Sequence, residues 1–193
     1  MINRPNNWNQ VQPIGEREKL APGGYVIEIK KVEIKTGRNN PGYQYLDIWL
    51  DICEGEQTGF YQKDWKAQDG DKRWRGHFRQ GIPAQDAAPD DYTARNFRAM
   101  IDALEASNSG YQFDWNEQSM VGKKAGALFR SEEWEYNGKH GWNTACMRLI
   151  DAERIRTNSF TIPAEKPLKT KISQSNDTYF GFESIDDSDI PFN

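Results

Sequence analysis

Between residues 43 and 53 the even positions from 46 on are all aliphatic: Leu46, Ile48, Leu50 and Ile52. This alternation puts them on one face of a β-strand and Tyr43, Tyr45, Asp47, Trp49, Asp51 and Cys53 on the other. The aliphatic face belongs to the core. The opposite face spaces aromatic rings with carboxylates, and exposed Tyr45 and Trp49 would form a flat platform there. Residues 25–35 read as a long, bent strand. Ile27 and Ile29 share one parity and Val32 and Ile34 take the other. Such a switch at Lys30-Lys31 is the mark of a β-bulge, in which one extra residue exchanges the faces. Pro22-Gly23-Gly24 and the run Gly37, Asn39, Asn40, Pro41, Gly42 supply the flanking turns.

Gly55 and Gly59 mark the next turn, and residues 60–65 are expected as a third strand running into a basic loop. Phe97, Met100, Ile101 and Leu104 recur at i, i+3, i+4 and i+7, which predicts an amphipathic helix over Tyr92–Ser107. Asp90 or Asp91 would cap it, and Asn108 with Gly110 would stop it. Residues 122–136, with Ala125, Ala127 and Phe129 alternating, and 144–155, with Ala145, Met147 and Leu149 on one face, complete five strands around a turn at Asn137-Gly138. Three strands, a helix and two more strands is the element order of an OB-fold barrel. The expected fold is therefore mainly β: a five-stranded OB-fold-like barrel with one α-helix between strands three and four. It would fill residues 22–156, between an irregular N-terminal arm at 1–21 and a flexible linker and acidic tail at 157–193.

Composition narrows the class. Aromatics make up 12% of the 193 residues, which a disordered chain lacks. No stretch approaches the ~18 apolar residues of a membrane-spanning helix, and residues 1–12 lack the apolar run of a secretory signal. Two cysteines, Cys53 and Cys146, do not make a disulfide scaffold. A reducing, cytoplasmic setting without a membrane partner is expected.

The net charge of −4 argues at first against a polyanionic ligand, but it is unevenly placed. Residues 172–193 hold Asp177, Glu183, Asp186, Asp187 and Asp189 and no Lys or Arg, so the body carries 25 basic and 24 acidic side chains. Its cations cluster in 61–80, where Lys63, Lys66, Lys72, Arg73, Arg75 and Arg79 alternate with Tyr61, Trp65, Trp74, His77 and Phe78. Cations meet phosphates and aromatic faces meet bases, at ~1–3 kcal/mol per stacked base. A solvated loop anchored by a few aromatics is the plain alternative.

Catalytic signatures are sparse. Cys53, Cys146, His77 and His140 have no zinc-type spacing. No nucleophile elbow, P-loop or dinucleotide-binding glycine pattern occurs. Glu33-Ile34-Lys35 and Pro89-Asp90 contain pieces of a metal-dependent nuclease motif in reversed order. Asp47 and Asp51 share a strand face about 13 Å apart at ~3.3 Å per residue, too far to share one ion. No enzyme activity, cofactor or metal is expected.

Two regions resemble known proteins. Asp186-Asp187-Ser188-Asp189-Ile190-Pro191-Phe192 is similar to the acidic tip of bacterial and phage single-stranded DNA-binding proteins, in which acidic residues precede Ile-Pro-Phe; here Asn193 follows. Pro22-Gly23-Gly24-Tyr25, Tyr45-Leu46-Asp47-Ile48, Asp51-Ile52-Cys53-Glu54-Gly55-Glu56 with Gly59-Phe60, and Ser107-Asn108-Ser109-Gly110-Tyr111 resemble a family of phage early proteins, some labelled single-strand-binding. The resemblance implies an OB-type fold, a phage or prophage origin, hence the host bacterial cytoplasm, and single-stranded DNA as ligand. It also implies a tail that docks replication and recombination proteins through Asp186, Asp187, Asp189, Ile190, Pro191 and Phe192. OB-type binders act as monomers, dimers or tetramers, so a homo-oligomer stays open.

The expected function is sequence-tolerant binding of single-stranded DNA. Lys30, Lys31, Lys63, Arg73 and Arg75 would hold phosphates, and Tyr45, Trp49, Trp65, Trp74 and Phe78 would stack on bases. The tail would also compete for the basic groove when DNA is absent. The alternatives are a replication or recombination accessory factor that binds proteins only, with Trp65 and Trp74 buried, and a metal-dependent nuclease.

Overall fold

In the computed structural model, which describes residues 2–11, 18–38 and 40–168, the alternation between 46 and 52 becomes the centre of a sheet. Strand β2 (Gln44–Ile52) buries Leu46, Ile48, Leu50 and Ile52 to 2% exposure or less. Strand β1 (Gly23–Thr36) runs antiparallel beside it, and the register slips between Ile29 and Lys31. Lys30 is the extra residue of this bulge. Ile27 and Ile29 face the core before it and Val32 after it, so the parity switch in the sequence is a real change of face.

The chain continues through helix α1 (Phe60–Ala67), strand β3 (His77–Gly81), helix α2 (Tyr92–Ser107), strand β4 (Lys124–Tyr136), strand β5 (Lys139–Ile150) and a short helix α3 (Ala152–Arg156). The five strands form one antiparallel sheet in the order β3-β2-β1-β4-β5. No ladder joins the two edge strands, so the hydrogen-bonded sheet is not closed into the expected barrel. Some Cα atoms of β3 and β5 nevertheless come within 8 Å of each other. Helix α2 packs on β3, β4 and β5 through Phe97, Met100, Ile101 and Leu104. Its first turn is capped by Asp91, whose carboxylate accepts the Ala94 N–H at 2.7 Å. Asn108 ties its end to β4, donating to the Leu104 and Lys124 carbonyls and accepting the Lys124 N–H.

Two elements depart from the sequence reading. Residues 60–65 form α1, not a strand, and the third strand is β3, with Phe78 and Gln80 buried. The cause is a long-range cap. Gly59 turns the chain at φ +74°, and the buried Asp51 carboxylate accepts the Tyr61 and Gln62 N–H groups at 2.9 and 3.2 Å. Those are donors that a helix start leaves without partners. The last strand begins at Lys139 and ends at Ile150, where Asp151 caps α3. A register shift opposite Leu128 and Phe129 leaves Met147 without a Cα partner and turns Cys146 toward the core, which breaks the expected Ala145–Met147–Leu149 face.

Helix α3 covers half of the outer sheet face. A Cβ added at Gly24 or Gly126 would lie 2.6–2.7 Å from Ile155, so glycine is what lets α3 sit this close. The chain then returns along β4, where Lys166 exchanges backbone hydrogen bonds with Ser131 and Glu133 at 2.9 Å. The other half of the outer face, built by β1 after its bulge, β2 and β3, carries the candidate site.

Candidate functional site

The register sets the chemistry of this face. Trp49 lies between Lys31 and His77, Asp47 between Glu33 and Arg79, and Tyr45 between Lys35 and Gly81. Cations sit over the rings. Lys31 Nζ is 4.5 Å from the Trp49 ring centroid, and the Arg79 guanidinium is 5.5 Å from that of Tyr45. Tyr43 stacks on Tyr45 at 5.9 Å. A flat strip of Tyr45 and Trp49, edged with basic groups, is thus present where alternation put it.

Asp47 organises the strip from below. Its carboxylate is 3% exposed, pairs with Lys35, and meets His77 Nδ1 at 3.0 Å. Burial pushes this carboxyl up, but the hydrogen bonds from Lys35 and His77 outweigh it and leave the group below the ordinary aspartate value. His77 Nε2 in turn lies 2.6 Å from the Trp74 carbonyl oxygen, so both ring nitrogens face acceptors. The chain Lys35–Asp47–His77–Trp74 fixes the loop ahead of β3 to the sheet. Trp74 donates its indole N–H to the Leu50 and Gly76 carbonyls, and its ring lies parallel to Trp49 at 6.4 Å. His77 meets Trp49 edge-on at 5.3 Å. The Trp49 indole nitrogen is buried and has no hydrogen-bond partner among the described residues.

Trp74 and His77 also line a cleft of about 410 Å³ between the two sheet edges. Its lining includes Arg73, Trp74, Arg75 and His77 from the β3 side, Asn143 and Thr144 of β5, and Lys19 of the N-terminal arm. Thr144 anchors the N-terminal arm by donating its hydroxyl to the Leu20 carbonyl at 2.6 Å. Arg75 is held by Asp64 of α1, at 3.0 and 3.2 Å, while the Arg73 backbone is held by Gln68. The β4–β5 hairpin presents Trp134 and Trp142 at 36% and 39% exposure.

The expected residues divide into four groups. Lys31, Tyr45, Trp49, Arg73, Trp74 and Arg75 come together on the strip and the adjoining cleft. Lys30 points away to Glu28 at 2.7 Å, and Lys63 and Trp65 lie exposed on α1, Trp65 with Lys72 over its ring at 5.1 Å. Phe78 is corrected outright: at 5% exposure it belongs to the core and offers no face for stacking, because β3 alternates and position 78 points inward. Trp74 is half-buried, between the exposed ring of one reading and the buried ring of the other. The tail residues Asp186, Asp187, Asp189, Ile190, Pro191 and Phe192 lie outside the described residues.

Sequence reasoning missed Lys19, Asn143 and Thr144, which reach the site only through tertiary pairing, missed Lys35, which shares the outward parity of Lys31, and underweighted His77 and Arg79, which sat inside the basic stretch. The carboxylates have structural partners: Asp47 serves Lys35 and His77, and Asp51 serves α1. Among the described residues no group of three His, Cys, Asp or Glu side chains converges to hold a metal ion, and no helix is long and apolar enough to cross a membrane. No protein-family model and no curated protein matches the chain.

Proposed function

We propose that this protein binds single-stranded DNA with little regard for sequence, through the strip Tyr45–Trp49 and the cleft at Trp74. The observation that carries the reading is the continuity of aromatic and cationic groups. Tyr45, Trp49 and Trp74 follow one another across β2 and the β3 loop, and Lys31, Arg79, Arg73, Arg75 and Lys19 flank them. Bases stack on flat rings of any neighbour sequence, and phosphates pair with the flanking cations. The strand order β3-β2-β1-β4-β5 with a helix between β3 and β4 supports an OB-type arrangement whose seam lies between β3 and β5, at the cleft. Under this reading the acidic segment 172–193 recruits replication or recombination proteins, and the chain is of phage or prophage origin, acting in the cytoplasm of its host.

The test is titration of intrinsic Trp fluorescence with oligo(dT). Quenching is expected, with affinity falling as salt rises. Unchanged emission and no mobility shift at low salt would remove the reading. One observation favours a protein-only accessory role instead: the Trp74 N–H and the Arg75 guanidinium both already have internal partners. Removing residues 172–193 separates the two, since DNA binding persists or strengthens under the first reading and the main activity disappears under the second.

A further inference from the structure

We infer that Lys31 sets the ligand selectivity of the Trp49 platform: it covers the ring in the free protein and yields to a ligand that carries a phosphate beside its base. The inference rests on the single-stranded DNA reading and narrows it to how that site rejects neutral flat or apolar ligands. Lys31 is the cross-strand neighbour of Trp49, and its ammonium stands 4.5 Å from the ring centroid. A base cannot stack on that face while the ammonium occupies it. The bulge selects Lys31 for this placement, since in a regular ladder Lys30, the residue after Ile29, would stand opposite Trp49.

Displacing the cation has a cost that depends on what the ligand offers. A neutral ring takes the face and leaves the ammonium with only Glu33, already 2.6 Å from it. A nucleotide strand takes the face and gives the ammonium a phosphate within reach of the same side chain. The Lys31–Glu33 pair is exposed on both sides, so it is weak enough to exchange. The Lys31 hydrogen bond is the main reason the Glu33 carboxyl lies below its ordinary value, so Glu33 is an anion that competes with the phosphate.

The experiment compares full-length wild type, Lys31→Met and Glu33→Gln by fluorescence anisotropy with two labelled oligo(dT) probes. One has phosphodiester linkages and the other uncharged methylphosphonate linkages. Lys31→Met is expected to bind the phosphodiester probe several-fold more weakly, with the salt slope reduced by about 0.7. The same variant is expected to bind the uncharged probe about two- to fivefold more tightly, because the cation no longer competes for the ring. Glu33→Gln is expected to bind the phosphodiester probe more tightly, which an inert or misfolded variant would not do. Equal weakening on both probes, or no change on either, overturns the role of Lys31 and leaves the DNA reading standing. If the wild type does not bind the phosphodiester probe, the DNA reading fails and this inference with it.

Discussion

The indole planes of Trp49 and Trp74 lie within 6° of parallel with centroids 6.4 Å apart, although one ring belongs to β2 and the other to the loop ahead of β3. The pair joins the open strip to the cleft, and its energy is measurable. Trp49→Ala, Trp74→Ala and the double variant form a cycle whose coupling in urea unfolding is expected at about 0.5–1.5 kcal/mol. On oligo(dT), Trp74→Ala is expected to weaken binding by about 1–3 kcal/mol. Binding unchanged from wild type would remove Trp74 from the interface.

Gly76 is expected to tolerate no side chain. A Cβ there would fall on the Leu50 carbonyl oxygen and lie 2.6 Å from the Tyr61 ring. Since the Gly76 carbonyl accepts both the Leu50 N–H and the Trp74 indole N–H, displacement would loosen the whole loop. Gly76→Ala should lower stability by more than about 2 kcal/mol, seen as a lower urea midpoint. A variant with the wild-type midpoint would contradict the packing.

The turn after β2 is fastened to α3 by charge. Arg156 hydrogen bonds to Glu54 at 2.9 and 3.0 Å, and Lys124 adds a third contact at 3.1 Å. The Arg156 bonds first, against some desolvation, and then Lys124 bring the Glu54 carboxyl down to about 2. A depressed carboxylate stabilises the fold fully above its unfolded value, about 4.3, and loses that contribution as pH falls toward 2. Solvent screening at this partly exposed site limits the effect to about 1 kcal/mol. Glu54→Gln should therefore cost about that much at pH 7 and only a small part of it at pH 2, by urea unfolding at both values.

Asp51 is the buried cap that turns residues 60–67 into a helix. Asp51→Ala removes the buried carboxylate that accepts the Tyr61 and Gln62 N–H groups and is expected to cost about 2 kcal/mol or more. Faster amide hydrogen exchange confined to α1 would mark the cause as local.

Periodicity alone located β2, the β1 bulge and α2 to within a residue or two, because each presents an uninterrupted stripe to the core. It failed at α1, where Phe60 and Tyr61 are neighbours and both buried, a pattern that alternation cannot produce. The helix depends on a carboxylate ten residues away, which no local window contains. The same limit applies to the site. Tyr45, Trp49 and Lys31 were readable from strand parity, and Trp74 from its basic surroundings. Asn143, Thr144 and Lys19 meet them only because the sheet brings β5 and the N-terminal arm opposite the β3 loop. Phe78 was misjudged because a basic neighbourhood says nothing about which way a strand residue points.

The bulge at Lys30 makes β1 a strand with two phases. Upstream of it odd-numbered side chains look inward; downstream they look outward as Lys31, Glu33 and Lys35. Deleting Lys30 alone would merge the two phases, because Lys31 would then follow Ile29 directly and still stand opposite Trp49. Pairing the strand regularly with Lys30 kept would instead set Lys30 opposite Trp49, drive Lys31, Glu33 and Lys35 under the sheet and lift Val32 and Ile34 onto the strip. The aromatic platform and the core beneath it are therefore kept in step by a single residue that the ladder leaves out.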